Sequence, residues 1–555
     1  MNSMNPDRGV EASLAVQALP GTEKAAVFRS SASALNPALL SLAERGTSAL
    51  ASIRGRGEAS ILASDDLNHV FRTWAASRIL LGKQVTRSEI LCKLGEDVAA
   101  IDKALNVQVD TILHHTALQK LEGSWRGLFY LVNQAEGANS DSGTGVGGKP
   151  RVKVRVLSVK KRELRRDQET AVEFDRSDLW QKVYENEFGT AGGIPYGLLV
   201  CDHQFSHHPD DVSLLSGMSE TAMAAFAPLL VSPEPAIFGS EQFNDLEKLP
   251  RITDTQASKQ FVKWKALRER EESRFIGLPL PRVLGRHGYN GLIGHPNALA
   301  ADERSWEQRG FRYKEKTEAV NGSGNLWMSG VWPFASTVIR EFGRSGWFAN
   351  LRGGSRGVGG GGEVAGLPKD TFSGFENSNV RRGPTEVNIP SDLGEEFERA
   401  GMIPLEATGS DGRAVFHSNM SLHKPKLFDN QKISENERLS SMMQYVLCVS
   451  RFAQYLKVIL RDKLGSFTEA PQAEKFLSDW VHQYVSPDDQ ASDETRAKMP
   501  LRAAEIEVQD DPGSGGTMKV VMRLQPHFQI DRIDSTLRLI SAVHYDPNKM
   551  SSRRG

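Results

Sequence analysis

The chain predicts a mixed α/β fold, with an extended N-terminal arm and a C-terminal helix pair plus β-hairpin. Three observations support this. Apolar residues recur at steps of three and four in long stretches, the signature of amphipathic helices. Short runs rich in Val, Ile and Leu, bounded by Gly and Pro, alternate with those helices between about residues 150 and 230. Near the end of the chain, two runs of period-two alternation flank a Gly/Pro-rich turn.

Residues 1 to 60 are rich in Ala, Ser, Gly and Arg with weak periodicity, and read as an arm or linker. A helical region follows over 61–135. The stretch Glu136 to Pro150 is a loop full of turn residues. Val152, Val154, Val156 and Leu157 mark a strand, and Leu179, Val183 and Tyr184 a helix. Gly193 to Asp202 reads as a buried strand, and Ser213 to Phe226 as a small-residue helix closed by Pro228. A charged helix is expected from Phe261 to Arg274, a helix near Leu326 to Phe342, and a strand from Trp347 to Leu351. A Gly-rich surface loop spans Gly353 to Gly366. PTEVNIP and MIPLEA then give short strand signals on either side of a helix. These segments make up an α/β region over 151–430.

Residues 431–545 form the C-terminal region, and 546–555 a tail. Arg438 to Leu464 predicts one amphipathic helix ~40 Å long, with Leu439, Met442, Val446, Val449, Ala453, Leu456, Leu460 and Leu464 on one stripe. Arg451, Gln454, Lys457 and Arg461 form a basic stripe on another face, suited to contact with a large partner. A second helix covers Gln472 to Val485. In the hairpin, Ala504, Ile506 and Val508 share an apolar face with Met518, Val520, Met522 and Leu524. The other face sets acids on the first strand against bases on the second, a favourable cross-strand arrangement. Open edges of such a hairpin can accept strands from other chains.

The chain has 555 residues, with 68 Lys and Arg against 69 Asp and Glu, for a net charge of −1. Near-neutrality argues against a general polyanion binder, and no nucleic-acid partner is expected. Cys92, Cys201 and Cys448 lie far apart in apolar settings, and read as buried free thiols of a reducing compartment. With no signal peptide and no apolar run of ~20 residues, a cytoplasmic chain without a membrane span is expected.

Two stretches offer chemistry. Gly357, Gly359 and Gly362 satisfy G-x-G-x-x-G, but Gly366 and Pro368 follow at once, and no helix opens to face a phosphate. His203 and His207 have i, i+4 spacing beside His208, Asp202, Asp210 and Asp211. The segment follows a strand and runs into Pro209, so a polar strand-to-helix connection with Asp210 or Asp211 near a helix N-terminus is the simpler reading. Glu271 and Glu272 sit among bases. No catalytic, cofactor or metal residue is expected. The alternative is a metal- or nucleotide-dependent cytoplasmic enzyme using His203/His207 or the Gly357–Gly362 loop.

Many blocks together resemble one family, the large subunit of the type VI secretion contractile sheath (TssC/VipB family). They are LEGSWRGL (Leu121 to Leu128), FGTAGGIPYGLLVCDHQFSH (Phe188 to His207), AFAPLL (Ala225 to Leu230), FVKWKALREREESRFIGLPLPR (Phe261 to Arg282), GLPKDTF, PTEVNI, KPKLFD (Lys424 to Asp429), SRFAQYLKVILRDKLGSF (Ser450 to Phe467), PLRAAEIEV (Pro500 to Val508) and RLQPHFQID (Arg523 to Asp531). The resemblance covers about Leu121 to Val543, and Gly291 to Asn325 departs from it.

It implies a phage-tail-sheath-like core and a structural protomer without an active site. That protomer would pair with a small sheath subunit (TssB/VipA-like) through 61–135, and stack with copies of itself as a six-fold helical tube around Hcp-like subunits. It would meet a baseplate, contract to drive effector delivery, and be recycled by an AAA+ ATPase. The expected tube contacts are Arg451, Lys457 and Arg461. The expected inter-subunit strands carry Ile506, Val508, Val520, Val521 and Met522, with Glu11 to Leu19 a candidate donor.

Overall fold

The computed structural model describes Trp74 and residues 86–140, 152–190, 193–248, 251–289, 313–317, 324–348, 350–353, 361–369, 383–408, 413–462, 470–488, 491–510, 518–527 and 537–542. The chain divides into two units, Met1–Thr111 with Leu299–Tyr313, and Ile112–Ala298 with Lys314–Gly555.

In the first unit, helix α1 (Arg87–Leu113) opens on a capping box. Glu89 accepts from the Thr86 backbone N–H at 2.9 Å, and the Glu89 N–H donates to Thr86 Oγ1 at 3.3 Å. Trp74 Nε1 donates to Asp97, and the Tyr313 hydroxyl to Asp110. No residue of α1 is buried.

The second unit begins its core on α2 (Thr116–Ser140). Gly123 and Gly127 lie one turn apart on its inner face. A Cβ on Gly123 would sit 2.8 Å from the Trp327 carbonyl, and one on Gly127 would overlap the Trp332 indole. Leu131, Ala135 and Ala138 continue that buried face. The chain then runs through α3 (Lys161–Thr170) and a helical stretch of Asp178–Trp180, the π-turn Gln181–Glu185 and Asn186–Phe188.

β1 (Leu199–Phe205), α4 (Pro209–Ala224) and β2 (Leu229–Pro233) form a parallel β–α–β unit, in which β1 and α4 answer the expected strand and helix while β2 is a strand that the sequence reading did not place. α5 (Ile252–Ala257) and α6 (Val262–Glu269) lead into β3 (Ile276–Gly277), which pairs parallel with β2. β4 (Pro279–Leu280) starts a second sheet, and β5 (Val283–Leu284) pairs with β6 (Trp327–Met328). The largely buried α7 (Val331–Ser345) follows, and Gly346, at φ 81°, caps it in the left-handed conformation. β7 (Glu363–Val364), α8 (Ser391–Arg399), β8 (Ile403–Thr408) and β9 (Arg413–Phe416) complete the second sheet, in the order β4-β8-β9-β7.

α9 (Gln431–Ser440) and α10 (Met443–Asp462) lead to α11 (Ala470–His482), α12 (Asp493–Lys498) and a third sheet. That sheet is β10 (Leu501–Asp510), β11 (Met518–Pro526) and β12 (Leu537–Ala542), in that order. Its core is separate from that of the α/β body. Trp347 stacks on Phe452 at 4.2 Å, among Leu456, Leu477, Leu501 and Met522. α10 joins the two cores, because Met443 and Leu447 belong to the body while Cys448 and Phe452 belong to the C-terminal cluster.

Several expectations are corrected. The helix expected over Arg438–Leu464 is two helices. The backbone at the break is taken by a neighbouring extended segment: Ser421 N–H donates to Ser441 O and Met443 N–H to Asn419 O, both at 2.8 Å. Val152–Leu157 forms no strand. Arg155 is held by Glu187 and by Tyr196, and Val159 O meets His203 Nε2. Trp347, Phe348 and Leu351 are buried but carry no strand pairing, and PTEVNIP contributes a single bridge, Thr385 to Val283. The helix expected over Phe261–Arg274 is helical only as α6, with 3₁₀ turns on both sides. The hairpin gains a third strand, since β12 pairs with β11 along Lys519–Leu524. Cys92 is exposed, whereas Cys448 is buried and its thiol is pushed up to about 12 by desolvation.

The glycine contact gives a test. Gly127→Ala adds helix propensity worth about 1 kcal/mol, yet forces a methyl into Trp332. We expect a net loss of ~1–3 kcal/mol in chemical denaturation. Gly137→Ala, on the same helix with nothing within 4 Å of the new methyl, should hold or gain stability.

Candidate functional site

The C-terminal sheet is the element most suited to assembly. Its apolar face lies on α11, as the alternation predicts: Ile506 pairs with Met522 and Val508 with Val520, all four buried. On the other face Arg523 bridges to Glu505 at 2.8 Å and lies 3.8 Å from Glu507. Val521 pairs with Glu507 on one side and Ile540 on the other. Val520, Val521 and Met522 are therefore on the central strand, and Ile506 and Val508 on an edge strand.

The outer edge of β10 carries a specific feature. The Val508 N–H points away from β11 and donates to the Glu474 carboxylate of α11 at 3.0 Å. Alternate residues of a strand share that direction, so Ile506 and Ala504 also aim their N–H groups outward. Sequence reading identified the edge but not its partial cap. Glu474 is separated from Val508 by a whole helix and turn, and no local pattern reports the contact.

The basic stripe of α10 turns inward instead of standing free. Gln454 Nε2 donates to Tyr196 O at 2.6 Å and Phe226 O at 2.8 Å. Lys457 lies over the rings of Tyr184, Phe188 and Phe226 and is 3.3 Å from the Tyr184 hydroxyl. Arg461 donates to Phe188 O, and Arg451 to Gln454 and Tyr455 while stacking on Tyr455. Arginine and lysine stems suit such aromatic, half-dry seats. The helical wheel shows the stripe, but not that the Asp178–Phe188 stretch covers it.

The residues with possible chemistry are used structurally. His203 is on β1, and His207 stacks on Phe261 at 4.3 Å. Pro209 opens α4 as its first residue, so the connection ends in a helix start. Asp211 there accepts from Ser206 and pairs with Lys161 at 2.7 Å. Asp202 accepts from Ser124 and from Trp332 Nε1, and burial pushes its carboxyl up. Gly357 and Gly359 lie outside the described residues, while Gly362 bonds to Gly353 and Phe416 in the second sheet.

Glu271, His423 and Glu437 come close enough to share an ion. The Arg274 guanidinium already occupies that space, donating to Glu271 at 2.8 Å and to Glu437 at 2.5 Å. Burial opposes ionisation of Glu271, but hydrogen bonds from Arg274 and Lys426 outweigh it and hold the carboxyl down at about 2. A cationic centre already bound there disfavours a metal. An open cleft of about 500 Å³ beside Arg251, Asp392 and Glu396 brings no nucleophile.

Two apolar surfaces escaped the sequence reading. On α2, Leu121, Trp125 and Phe129 recur every four residues, opposite the buried glycine face, and all are exposed. On α1, Leu91, Leu94, Val98 and Ile101 are exposed. Both were legible from spacing alone.

Residues 95–423 match the family model described as EvpB/VC_A0108, tail sheath N-terminal domain, and residues 432–543 match EvpB/VC_A0108, tail sheath gpW/gp25-like domain. The type VI secretion system sheath protein TssC1 of Pseudomonas aeruginosa PAO1 is 35% identical over 449 residues, covering 80% of this chain and 85% of the relative. Among solved structures, the six-fold symmetrised cryo-EM structure of the anti-feeding prophage baseplate aligns with a TM-score of 0.29 and 9% identity. It covers 73% of this chain and 81% of that one, and at that score it carries no structural conclusion.

The seat of Lys457 yields a pH prediction. Burial pulls its ammonium down to about 8, from 10.5. A depressed folded value means that the unfolded chain holds the proton more tightly between about pH 8 and 10.5, so stability rises with pH across that window. In thermal melts, the wild type should gain on Lys457→Met from pH 8 to 10.5. Parallel curves would show that the ammonium is not desolvated.

Proposed function

The chain belongs to the VipB tail-sheath family of type VI secretion large sheath subunits, structural proteins and not enzymes, and from that premise we propose how it assembles and works. It polymerises in the bacterial cytoplasm with a small TssB/VipA-like subunit, and the pairs stack as a six-fold helical sheath around an Hcp-type inner tube. Contraction of the sheath from a baseplate drives effector delivery, and an AAA+ ATPase recycles the contracted form. Among the described residues, no helix is long and apolar enough to cross a membrane. Family membership sets aside the enzymatic alternative.

The third sheet supports this reading best. It stands on its own core, its central strand is satisfied in cis on both sides, and the β10 edge aims backbone donors outward. Strand addition from a neighbouring chain would use such an edge, with main-chain bonds for affinity and side-chain pockets for register. The strands of Ile506, Val508, Val520, Val521 and Met522 form the inter-subunit junction. The donor segment Glu11 to Leu19 lies outside the described residues. The small subunit meets the helical region 61–135. The inner tube meets α10 and α11, and Arg451, Lys457 and Arg461 serve that contact by seating α10 against the body.

The junction is tested on its edge. Val520 and Val521 are central, so proline there would break the sheet itself. Ala504→Pro instead removes one outward donor and spares the ladder to β11. Co-expressed with the small subunit, the variant should melt within ~1–2 °C of wild type and give soluble complexes without tubes by negative-stain microscopy. Long, normal sheaths would defeat the junction assignment.

A further inference from the structure

The turn that closes α7 is short of one hydrogen when its acid is ionised. Ser345 is the last residue of that helix, and its hydroxyl has a single hydrogen to give. Three acceptors surround the hydroxyl: Glu341 O at 3.0 Å, Glu341 Oε1 at 3.2 Å and Trp347 O at 3.1 Å. The same oxygen accepts from the Trp347 N–H at 3.1 Å. As a carboxylate, Glu341 can only accept, so it draws the Ser345 hydrogen away from Trp347 O. As a carboxylic acid, it donates its own O–H to Ser345 Oγ, and the serine hydrogen is released to Trp347 O. The protonated form satisfies both.

This turn also joins two cores. Trp347 stacks on Phe452 at 4.2 Å and meets Tyr455 and Tyr484 edge-on, inside the C-terminal cluster. Its neighbour Phe348 stacks on Phe342 at 5.4 Å and belongs, with Leu351, to the α/β body. Glu341 is 4% exposed and lies near the C-terminal end of α7, where the helix dipole disfavours an anion. The charged groups around it are committed elsewhere. Arg340 donates to the Gly361 and Glu363 carbonyls, and faces Tyr130 of α2 and Glu363 of β7. Arg344 is exposed and faces Glu494 of α12. Arg451 of α10 lies over the Phe342 ring, and Asp202 of β1 sits at the far end of α7, on Trp332. Glu341 receives hydrogen bonds from Ser345 and from the Asn350 N–H. Burial outweighs these and both arginines, and pushes its carboxyl up to about 7.

We propose that Glu341 is a proton-operated latch on the joint between the α/β body and the C-terminal core. Neutral, it frees Ser345 to fasten the Trp347 carbonyl and so holds the indole against Phe452. Ionised, it takes the serine hydrogen for itself, and the joint loosens as pH rises towards neutrality. The sign follows from linkage. The folded chain holds this proton more tightly than the unfolded one, so the stability that it contributes is full below about pH 4.5 and is lost as pH rises to about 7. The latch lies within one chain and does not rest on the assembly reading.

Glu341→Gln tests it, because a side-chain amide donates to Ser345 Oγ as the acid does and never ionises. The difference in melting temperature between the full-length variant and the wild type should move by ~2–4 °C in favour of the variant from pH 5 to pH 8. Asp202 and Glu406, whose carboxyls burial also pushes up, are common to both proteins and cancel in that difference. By hydrogen exchange at pH 8, peptides covering 346–351 should exchange at least ~10-fold faster in the wild type than in the variant, and at the same rate at pH 5. Ser345→Ala removes the shared hydroxyl. With intrinsic rates divided out, its exchange over 346–351 should be the same at pH 5 and pH 8, whatever the substitution costs in stability. An offset between wild type and Glu341→Gln that stays constant with pH, or a pH response of this turn that survives in Ser345→Ala, would overturn the proposal.

Discussion

The close approach of α2 to the segment Trp327–Ser345 is the constraint on which the α/β body depends. Two glycines on α2, Gly123 and Gly127, make it possible, and Gly343 reciprocates on α7, where a Cβ would lie 2.5 Å from that of Ala138. With the backbones this near, Trp332 reaches across to Asp202 on β1, and Ser124 of α2 binds the same carboxylate. One buried acid thereby joins helix, sheet and helix. Beside Gly123 on α2, Glu122 receives Arg286, which also forks onto Glu315 at 2.5 and 3.1 Å. Such a network adds little net stability against a hydrophobic equivalent, but losing any one member strands a buried charge. The LEGSWRGL block is the sequence trace of this joint: two glycines for approach, Ser124 and Glu122 for polar closure, and Trp125 left outside.

The boundary between the two matched family domains, after residue 423 and before 432, has its own polar clasp. Arg274 belongs to the first and holds Glu437, Ser440 and Ser441 of the second. His423, fully buried, contacts Arg270 O at 2.9 Å and lies 3.5 Å from Glu437. Burial first, and the neighbouring Arg274 charge second, pull its imidazole down, which favours the neutral form at neutral pH. Two domains that a linear reading separates by an exposed loop are therefore clamped together.

The regular parts of this architecture were legible in the chain. β1, α4, α7, α8, β8, α11 and the C-terminal hairpin all follow from periodicity and from Gly and Pro punctuation, whereas β2 was not placed. What escaped was decided by contacts distant in sequence. Nothing near Ser441 says that Asn419 and Ser421 will take its backbone bonds and split a helix. Val152–Leu157 has strand composition, but a strand needs a partner, and its side chains found Glu187 and Tyr196 first. The basic face of α10 is correct as a pattern, yet exposure belongs to tertiary structure, and three aromatic residues cover Lys457. The exposed apolar line of Leu91, Leu94, Val98 and Ile101 on α1 is the opposite case. Its spacing was visible throughout, and only the absence of burial gives it meaning.

The break before α10 has a mechanical consequence. The foot of this helix is pinned by the Met420–Met442 bridge, and its shaft by Gln454, which grips two carbonyls of the body. Its far half carries the core of the third sheet. A pull applied to that sheet reaches the α/β body through a stiff lever fixed at two points, so displacement becomes torque and is not lost as slack in a linker.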